Sequence, residues 1–461
     1  MSTEVGSAVH TELLERPTTE RFSAQGVRAA ALVFVDNAGI ARMKCVPLDR
    51  LQRAAERGVG LSVLFGAARG DDLFARVPGL SGPTGDIRLV ADLDAAATLA
   101  CAPGWLWAPV EQRDQEGRPW PGCQRTFLKR MLEDAATMGF RFEAGYELEW
   151  TVGREGEGGN VEFLHDGPGY GAATFGRTGD YLLALVDNLQ HAGVGVEQMH
   201  PEYSAGQVEI SLPPGDPVRA CDASVLARHI ARTVAEQAGW RASFSPVVTE
   251  DLVGNGAHAH FSAWRDDENQ FSGGEGPAGL RPAGQAFLAG VLDHMSALTA
   301  LAAPTTISYQ RLRPSHWASA YACWGHENRE AALRLESAVG PSSSRSANVE
   351  WKSVDTASNP YLVLGGVIAA GLDGVRRDLR LPPSVEVDPA TLSDEERRER
   401  SIRPLPETLH EAAEAFASSS LLREAMGEFL HDCVTYVRRE EAEAASGTDE
   451  GAQLAAHRWR Y

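Results

Sequence analysis

Apolar and polar residues follow a strand-like pattern near the start of the chain and a helical pattern soon after it. The apolar run VRAAALVFV at 27–35 is followed by the turn sequence DNAG and by the extended segment ARMKCVPL, which together predict a β-hairpin. A helical pattern then ends at Gly58, and IRLVADL at 87–93 predicts another strand. We therefore expect a flexible leader over 1–21 and a small domain over 22–105.

The rest of the chain repeats a helix followed by one or more strands. The helical segment FLKRMLEDAATMG ends at Gly139 and precedes FRFEAGYELEWTV, which alternates with the period of a strand. Two later helical segments precede further strands that include VGVEQMHPEYSAGQVEISL and AHAHFSAW. The pattern predicts an α+β fold whose second domain, over 106–461, is a curved sheet backed by helices. We expect a charged surface excursion at 388–409 and closing helices around 407–445.

The net charge and the cysteine spacing indicate which partners and which compartment the protein can have. The net charge of −20 argues against nucleic acid or an anionic membrane as a partner. The six cysteines show no metal-binding spacing, so we interpret them as core residues in a reducing compartment. The first residues lack a secretory signal pattern, and the apolar stretch at 361–372 is shorter than the roughly 20 residues of a membrane helix. We expect a cytoplasmic protein.

Several acidic residues lie on separate predicted strands of the second domain. Glu147 and Glu149 are two apart on a predicted strand and therefore point to the same side. An isolated pair of this kind is usually a solvent-facing edge. Here further carboxylates and a histidine lie on other predicted strands. Such a set of oxygen ligands with one histidine suits Mg²⁺ or Mn²⁺. The candidate ligands are Glu147, Glu149, Glu202, Glu209, His258 and Glu350.

Three arginines accompany these acids in the same half of the chain. Arg311, Arg329 and Arg334 could be an ordinary salt-bridged surface. Beside a metal site, however, guanidinium groups neutralise the charge of a transferring phosphate. The chain has no GxxxxGK[ST] sequence, so the pattern indicates phosphoryl transfer without a P-loop.

The order of the motifs resembles the glutamine synthetase family, type I-like, from about residue 22 onward. The motifs are YELEW, EYSAGQVE, GNGAHAHFS, SYQRL, NREAALR, NVEWK and DTASNPYL. The resemblance implies an N-terminal β-grasp domain and a catalytic domain with a curved antiparallel sheet. It also implies self-association into stacked hexameric rings, a dodecamer, with active sites between neighbouring subunits. ATP as co-substrate, glutamate, an amine and two or three Mg²⁺ or Mn²⁺ ions per site would be the ligands.

The resemblance also implies a role for individual residues. One metal would be held by Glu149, Glu202 and Glu209, and the other by Glu147, His258 and Glu350. The remaining roles are ATP binding for His260, Ser262 and Lys352, phosphate stabilisation for Arg329 and Arg334, and binding of the amino-acid α-carboxylate for Arg311.

Two departures from the family pattern concern the ammonia site. Trp317 replaces the glutamate of the flap that closes over the substrate, and Phe65 replaces an N-terminal aspartate, so that Asp36 alone is kept. Ammonium needs negative partners, and we expect their loss to weaken its binding. The chain is thus similar to the γ-glutamyl-amine ligases, in which an aromatic wall would accept a larger amine.

The identity of both substrates stays open at this stage. A polyamine carries a second positive charge that would favour acids in the pocket, so a small monoamine such as ethanolamine is preferred, with a polyamine as the alternative. An ammonia-using glutamine synthetase and a non-catalytic scaffold are further alternatives. On the acid side, Val253 replaces an asparagine that contacts glutamate, which leaves Gly254 and Asn255 as candidate contacts, and Lys352 replaces an arginine.

Overall fold

The structure is a computed structural model that describes residues 18–80, 84–250, 252–337 and 343–461. Most of the predicted leader, residues 1–17, lies outside the described residues. The first described element is the helix α1 (Thr18–Ala24).

The N-terminal sheet is mixed and carries the predicted hairpin. Its strands are β1 (Ala29–Val35), β2 (Ala41–Pro47), β3 (Val59–Ser62), β4 (Asp86–Ala91), β5 (Ala97–Thr98) and β6 (Trp105–Arg113). The order is β2-β1-β6-β4-β3, with β1 parallel to β6 and β5 also paired to β6. Helix α2 (Leu51–Arg57) links β2 to β3 and ends at Gly58, whose φ is 66°. This is the β-grasp arrangement. β6 begins at the predicted boundary at residue 105 and continues within the same sheet.

The second sheet has ten strands and supplies most of the catalytic domain. Its strands are β7 (Phe140–Glu155), β8 (Val161–Phe163), β9 (Gln198–Pro201), β10 (Gln207–Ser211), β11 (Arg241–Ser243), β12 (Ala257–Arg265) and β13 (Glu268–Asn269), followed, after the short β14 (Tyr321–Ala322), by β15 (Trp324–His326), β16 (Leu333–Glu336) and β17 (Asn348–Trp351). The main order is β15-β16-β17-β12-β7-β10-β9. Among the described strands of this sheet the pairings are antiparallel, as predicted, except for β15 with β16.

Helices cover this sheet and enclose the core. They are α3 (Gln124–Thr137), α4 (Phe175–His191), α5 (Pro217–Gln237), α6 (Pro282–Asp293), α7 (Met295–Ala302), α8 (Ser308–Arg311), α9 (Ser343–Ser346), α10 (Pro360–Arg376), α11 (Asp394–Glu399), α12 (Leu409–Ala417), α13 (Ser420–Met426), α14 (Glu428–Ala445) and α15 (Glu450–His457). The apolar stretch at 361–372 is buried in α10, where Gly365 and Gly371 allow Phe127 and Phe287 to approach the helix closely. None of the described helices combines the length and the apolar composition needed to cross a bilayer.

A buried ionic network joins the two domains. Arg125 on α3 pairs with Asp222 at 2.8 Å and with Asp92 of the N-terminal domain at 2.7 Å. Asn359, which caps α10, also donates to the backbone oxygen of Asp36 at 3.0 Å. The N-terminal domain is therefore held firmly against the catalytic domain of the same chain. Five cysteines are buried as predicted, whereas Cys45 is exposed because it lies on the edge strand β2.

The last part of the chain differs from the sequence-based expectation in two places. The excursion at 388–409 is anchored, because its residues Arg403–Pro404 form the strand β18, which pairs with β14. The closing helices α12, α13 and α14 lie where they were predicted, and α15 continues beyond residue 445.

Candidate active site

The register of the second sheet brings the acidic residues together. Glu149 on β7 is directly opposite Glu209 on β10, and Glu147 is opposite His258 on β12. On the other side of β12, His260 is opposite Glu350 on β17. Because residues opposite each other on neighbouring strands have close side chains, these pairs converge on one face. They lie at a cavity of about 870 Å³.

One group of possible metal ligands lies at the end formed by β9 and β10. Nε2 of His200 is 2.9 Å from Oε2 of Glu202 and 3.3 Å from Oε1 of Glu209. The hydroxyl of Tyr170 donates to Oε1 of Glu202 at 2.9 Å, and the Tyr170 ring stacks on His200. The ligand atoms of this histidine and these two glutamates all lie within 4.8 Å of one another.

A second group lies around β7, β12 and β17. Glu147, His260 and Glu350 present ligand atoms within 4.8 Å of one another. His258 stands between the two groups, with Nε2 at 3.2 Å from Oε1 of Glu149 and Nδ1 at 3.6 Å from Oε1 of Glu350. Among the described residues, Nδ1 of His258 has no hydrogen-bond partner.

The electrostatics of the cluster favour a bound cation. Burial and the neighbouring carboxylates of Glu147 and Glu149 raise the pKa of Glu209 to about 11. Burial disfavours a charged imidazole at His260, but Glu147 and Glu350 nevertheless raise its pKa to about 9. Like charges this close need positive partners. Oxygen-rich ligands and an unpaired imidazole nitrogen therefore fit Mg²⁺ or Mn²⁺.

Basic side chains lie directly beside the acidic cluster. Arg311 is buried and donates from Nη2 to the backbone oxygen of Lys352 at 3.1 Å, while Nη1 has no partner among the described residues. Gly254 lies against it, since a Cβ there would be 2.7 Å from Cγ of Arg311. Arg334 and Lys352 bond to Glu350 at 3.2 and 2.9 Å. A buried guanidinium with a free N–H is suited to receive a carboxylate.

Exposed aromatic side chains line the mouth of the cavity near the first metal group. Trp317 lies edge-on to Tyr203, with ring centroids 5.3 Å apart, and both line the cavity. Tyr203 directly follows Glu202, and Tyr170 bonds to that glutamate. The mouth therefore combines flat apolar surface with negative charge.

Most predicted site residues lie at this cavity. The lining includes Glu147, Glu149, Glu202, Glu209, His258, His260, Ser262, Arg311, Arg329, Arg334, Lys352, Gly254 and Trp317, and Glu350 borders it through His258. Ser262 accepts from Nε1 of Trp264 at 2.8 Å.

Three predicted residues lie elsewhere within this chain. Asn255 is buried behind the cavity lining, because its amide donates to the backbone oxygen of Ser245 at 2.8 Å and its side chain contacts Thr151. Asp36 is buried in the N-terminal domain and paired with Arg42 at 2.8 Å. Phe65 packs edge-on against Phe34 and Phe74 in the same domain.

Several cavity residues were not predicted from the sequence. His200 is the most informative of them, since it lies two residues before Glu202 and could have been found from that spacing. Some of the others stand close to predicted residues, as Tyr203 does to Glu202 and Gln207 to Glu209, whereas Tyr170 comes from a segment without a predicted site residue. Besides His200, the unpredicted cavity residues include Tyr170, Tyr203, Gln198, Gln207, His316, Glu336, Arg345 and Asn348.

Comparison with known proteins agrees with this geometry. Residues 121–456 match the family model of the glutamine synthetase catalytic domain. The chain belongs to the glutamine synthetase family. It is an ATP-dependent ligase that joins a carboxylate to an amine.

Individual relatives can be aligned with nearly the whole chain. The gamma-glutamylpolyamine synthetase GlnA3 of Streptomyces coelicolor is 46% identical over 453 residues, which is 97% of each chain. The glutamine synthetase of Pyrococcus abyssi is 30% identical over 415 residues, or 89% of each. A crystal structure of a novel glutamine synthase homologue superposes with a TM-score of 0.84, at 29% identity, covering 94% of this chain and 99% of the other. An ADP complex of GmaS gives 0.82 at 26% identity, covering 95% and 98%. The predicted α+β fold is thus confirmed.

Proposed function

We propose that this protein uses ATP to join a primary amine of a polyamine to the γ-carboxylate of glutamate. The observation that carries the proposal is the aromatic and acidic mouth of the cavity, next to the metal-ligand cluster. The relative from Streptomyces coelicolor, at 46% identity, is a gamma-glutamylpolyamine synthetase and supports the same substrate class.

The glutamate substrate would be oriented by the basic side chains. Its α-carboxylate would pair with Arg311, whose Nη1 has no partner among the described residues. Its γ-carboxylate would then lie towards the metal cluster, where Arg334 and Arg329 line the cavity. An arginine fork that binds one carboxylate leaves the other free to react.

The reaction would proceed in two steps. An oxygen of the γ-carboxylate attacks the γ-phosphorus of ATP, which forms γ-glutamyl phosphate and releases ADP. The amine nitrogen then attacks the acyl carbon, which releases inorganic phosphate and a proton. Bound Mg²⁺ or Mn²⁺, held by the two groups of glutamates and histidines, would neutralise phosphate charge. Arg334 and Arg329 would stabilise the negative charge that develops on the transferring phosphoryl group.

The mouth of the cavity suits a long, positively charged amine. A polyamine has methylene groups that would pack on the rings of Trp317 and Tyr203, and ammonium groups that aromatic faces attract. Glu330, which is not among the metal ligands, accepts from the backbone N–H of Trp317 at 2.8 Å and adds a carboxylate next to that residue. Both features match an alkyl chain with more than one charge.

This proposal replaces the preference for a small monoamine such as ethanolamine. That preference rested on an expected shortage of acids around the amine, whereas Glu330, an acid outside the metal cluster, is hydrogen-bonded to the backbone of Trp317. The comparisons also give no support for ethanolamine, since the relative at 46% identity is named for polyamines.

The N-terminal domain would contribute to a neighbouring subunit. Asp36 and Phe65 do not line the cavity of their own chain, which agrees with a site completed between subunits of a stacked hexameric ring. We therefore propose a dodecamer, with the number of bound metal ions per site to be established by titration. Analytical ultracentrifugation at enzymatic concentrations would test the assembly.

The test of the proposed reaction is product identification by mass spectrometry together with phosphate release. Reactions would contain ATP, Mg²⁺, glutamate and one of putrescine, spermidine, ethanolamine or ammonium. The Glu350→Gln variant would serve as the control for contaminating ATPase. Glutamate-dependent formation of a γ-glutamylpolyamine is expected. Glutamine as the favoured product would indicate an ordinary glutamine synthetase, and no product with any amine would favour another acid or a non-catalytic scaffold.

A further inference from the structure

The segment that carries Trp317 has an unusual backbone. Ser315, Trp317 and Ser319 have φ angles of 59°, 53° and 65°, all in the left-handed region that residues other than glycine rarely adopt. Three such residues within five positions require external support, because each would relax to an ordinary conformation in a free loop.

Each of the three strained residues is held by its own hydrogen bond. The Ser315 hydroxyl donates to Oδ2 of Asp388 at 2.8 Å. The backbone N–H of Trp317 donates to Oε1 of Glu330 at 2.8 Å. The Ser319 hydroxyl donates to the backbone oxygen of Ala331 at 3.0 Å. The bonds come from two different segments, so the Trp317 segment is fixed from both sides.

The two acids are themselves anchored. The backbone N–H of Glu330 donates to Oδ1 of Asn328 at 3.0 Å, and the Asn328 amide donates to the backbone oxygen of Val385 at 2.6 Å. Asp388 accepts from the N–H of Ala390 at 2.8 Å. In the described part of the chain neither carboxylate forms an ion pair, and Lys352 and His316 act on Glu330 only from a longer distance. Both are therefore available to the Trp317 segment.

Burial differs sharply along the segment. Ala318 is 2% exposed and Ser319 is fully buried, whereas Trp317 is 46% exposed and rests on Tyr203 at the cavity mouth. The backbone is thus anchored while the indole is presented to the cavity. A backbone held in this manner limits the positions that the indole can take before the amine arrives, which reduces the entropy lost on binding.

We infer that Glu330 and Asp388 are positioning residues that hold Trp317 in the wall of the amine pocket and so set the affinity for the amine. Neither touches the reacting atoms in this assignment. The inference rests on the proposed function, because it requires Trp317 to contact the amine. It adds two residues, one from the excursion at 388–409, to those that determine amine specificity.

The test is steady-state kinetics on the oligomeric enzyme with spermidine or putrescine as the varied amine. Glu330→Ala removes the bond to the Trp317 backbone and should raise the KM for the polyamine about 5- to 30-fold, the loss expected for one well-formed hydrogen bond and an ordered wall. The kcat and the KM values for glutamate and ATP should change less than about twofold. Ser315→Ala and Asp388→Ala should give similar changes to each other. Glu330→Gln and Asp388→Asn, which keep an acceptor oxygen, should restore most of the affinity.

A double substitution separates positioning from a general structural role. In a Trp317→Ala background, Glu330→Ala should add little, because the side chain that it positions is already absent. Glu395→Ala, an exposed acid on the same excursion, is the matched control and should leave the KM unchanged. The inference is overturned if Glu330→Ala leaves the polyamine KM unchanged, if its effect adds fully to that of Trp317→Ala, or if the glutamate KM rises equally. Absence of polyamine turnover in the unsubstituted enzyme would instead reject the proposed function itself.

Discussion

Replacing Trp317 by alanine tests the assignment of the amine pocket. The indole is 46% exposed, so roughly half of its surface is open to a ligand at the cavity mouth. A cation over an exposed ring contributes about 0.5–1 kcal/mol, and partial burial of one or two methylene groups contributes about 0.5–1 kcal/mol more. The sum of about 1–2 kcal/mol corresponds to a fall in kcat/KM for a polyamine of about 5- to 30-fold.

The assay compares amines of different size in the same enzyme preparation. Phosphate release with spermidine, putrescine and ammonium would be measured for the unsubstituted enzyme and for Trp317→Ala. Ammonium is too small to cover the ring, so its kcat/KM should change less than about threefold. Trp105→Ala is the matched control, because that tryptophan is 38% exposed and lies outside the cavity. An equal loss for ammonium and polyamines, or no loss for polyamines, would refute the aromatic-wall reasoning.

Three further predictions concern the metal cluster and the stability of the fold. Mg²⁺ should raise the Tm of the unsubstituted protein, and Glu209→Gln should reduce that rise while leaving the metal-free protein at least as stable, because glutamine matches the neutral form that the raised pKa of Glu209 favours. Scanning calorimetry with and without EDTA checks both. Arg125→Ala leaves the buried Asp222 with only the more distant Arg219, at 3.8 Å, and should destabilise the protein by about 3 kcal/mol, measured by urea unfolding. Burial raises the pKa of Glu441 to about 7 despite the nearby Arg438, so its protonated form is favoured in the fold. The contribution of Glu441 to the free energy of unfolding should be complete below about pH 4.5 and lost as the pH rises through about 7, a decline of up to about 3 kcal/mol. Urea unfolding at pH 5 and pH 8 measures this decline, which should be smaller in Glu441→Gln.

Local patterns were sufficient for the elements that carry the acids. Period-2 alternation places Glu147 and Glu149 on one face of β7, and both line the cavity as that spacing predicts. Glycines at helix ends, such as Gly58 with a φ of 66°, mark where helices stop. Strand alternation and helix ends depend on residues that are neighbours in the sequence, so one sequence is sufficient to predict them.

Features that depend on distant contacts were not predictable in this manner. Tyr203 and Trp317 are more than 100 residues apart, so their contact follows only from the fold. Asn255 is next to Gly254, yet its amide is used to satisfy the buried Ser245 carbonyl, and sequence proximity gave no indication of that direction. The acids that hold the Trp317 segment could not be predicted either, because they are distant in sequence; Asp388 lies 73 residues from Ser315.

The proposed function requires this enzyme to select a polyamine over ammonia as the nucleophile. The most direct test is a competition in one reaction, with glutamate, ATP, Mg²⁺ and equal concentrations of spermidine and ammonium, followed by quantification of both amide products by mass spectrometry. We expect γ-glutamylspermidine to exceed glutamine by at least about tenfold, which corresponds to about 1.4 kcal/mol in transition-state binding. Glutamine in equal or greater amount would contradict it.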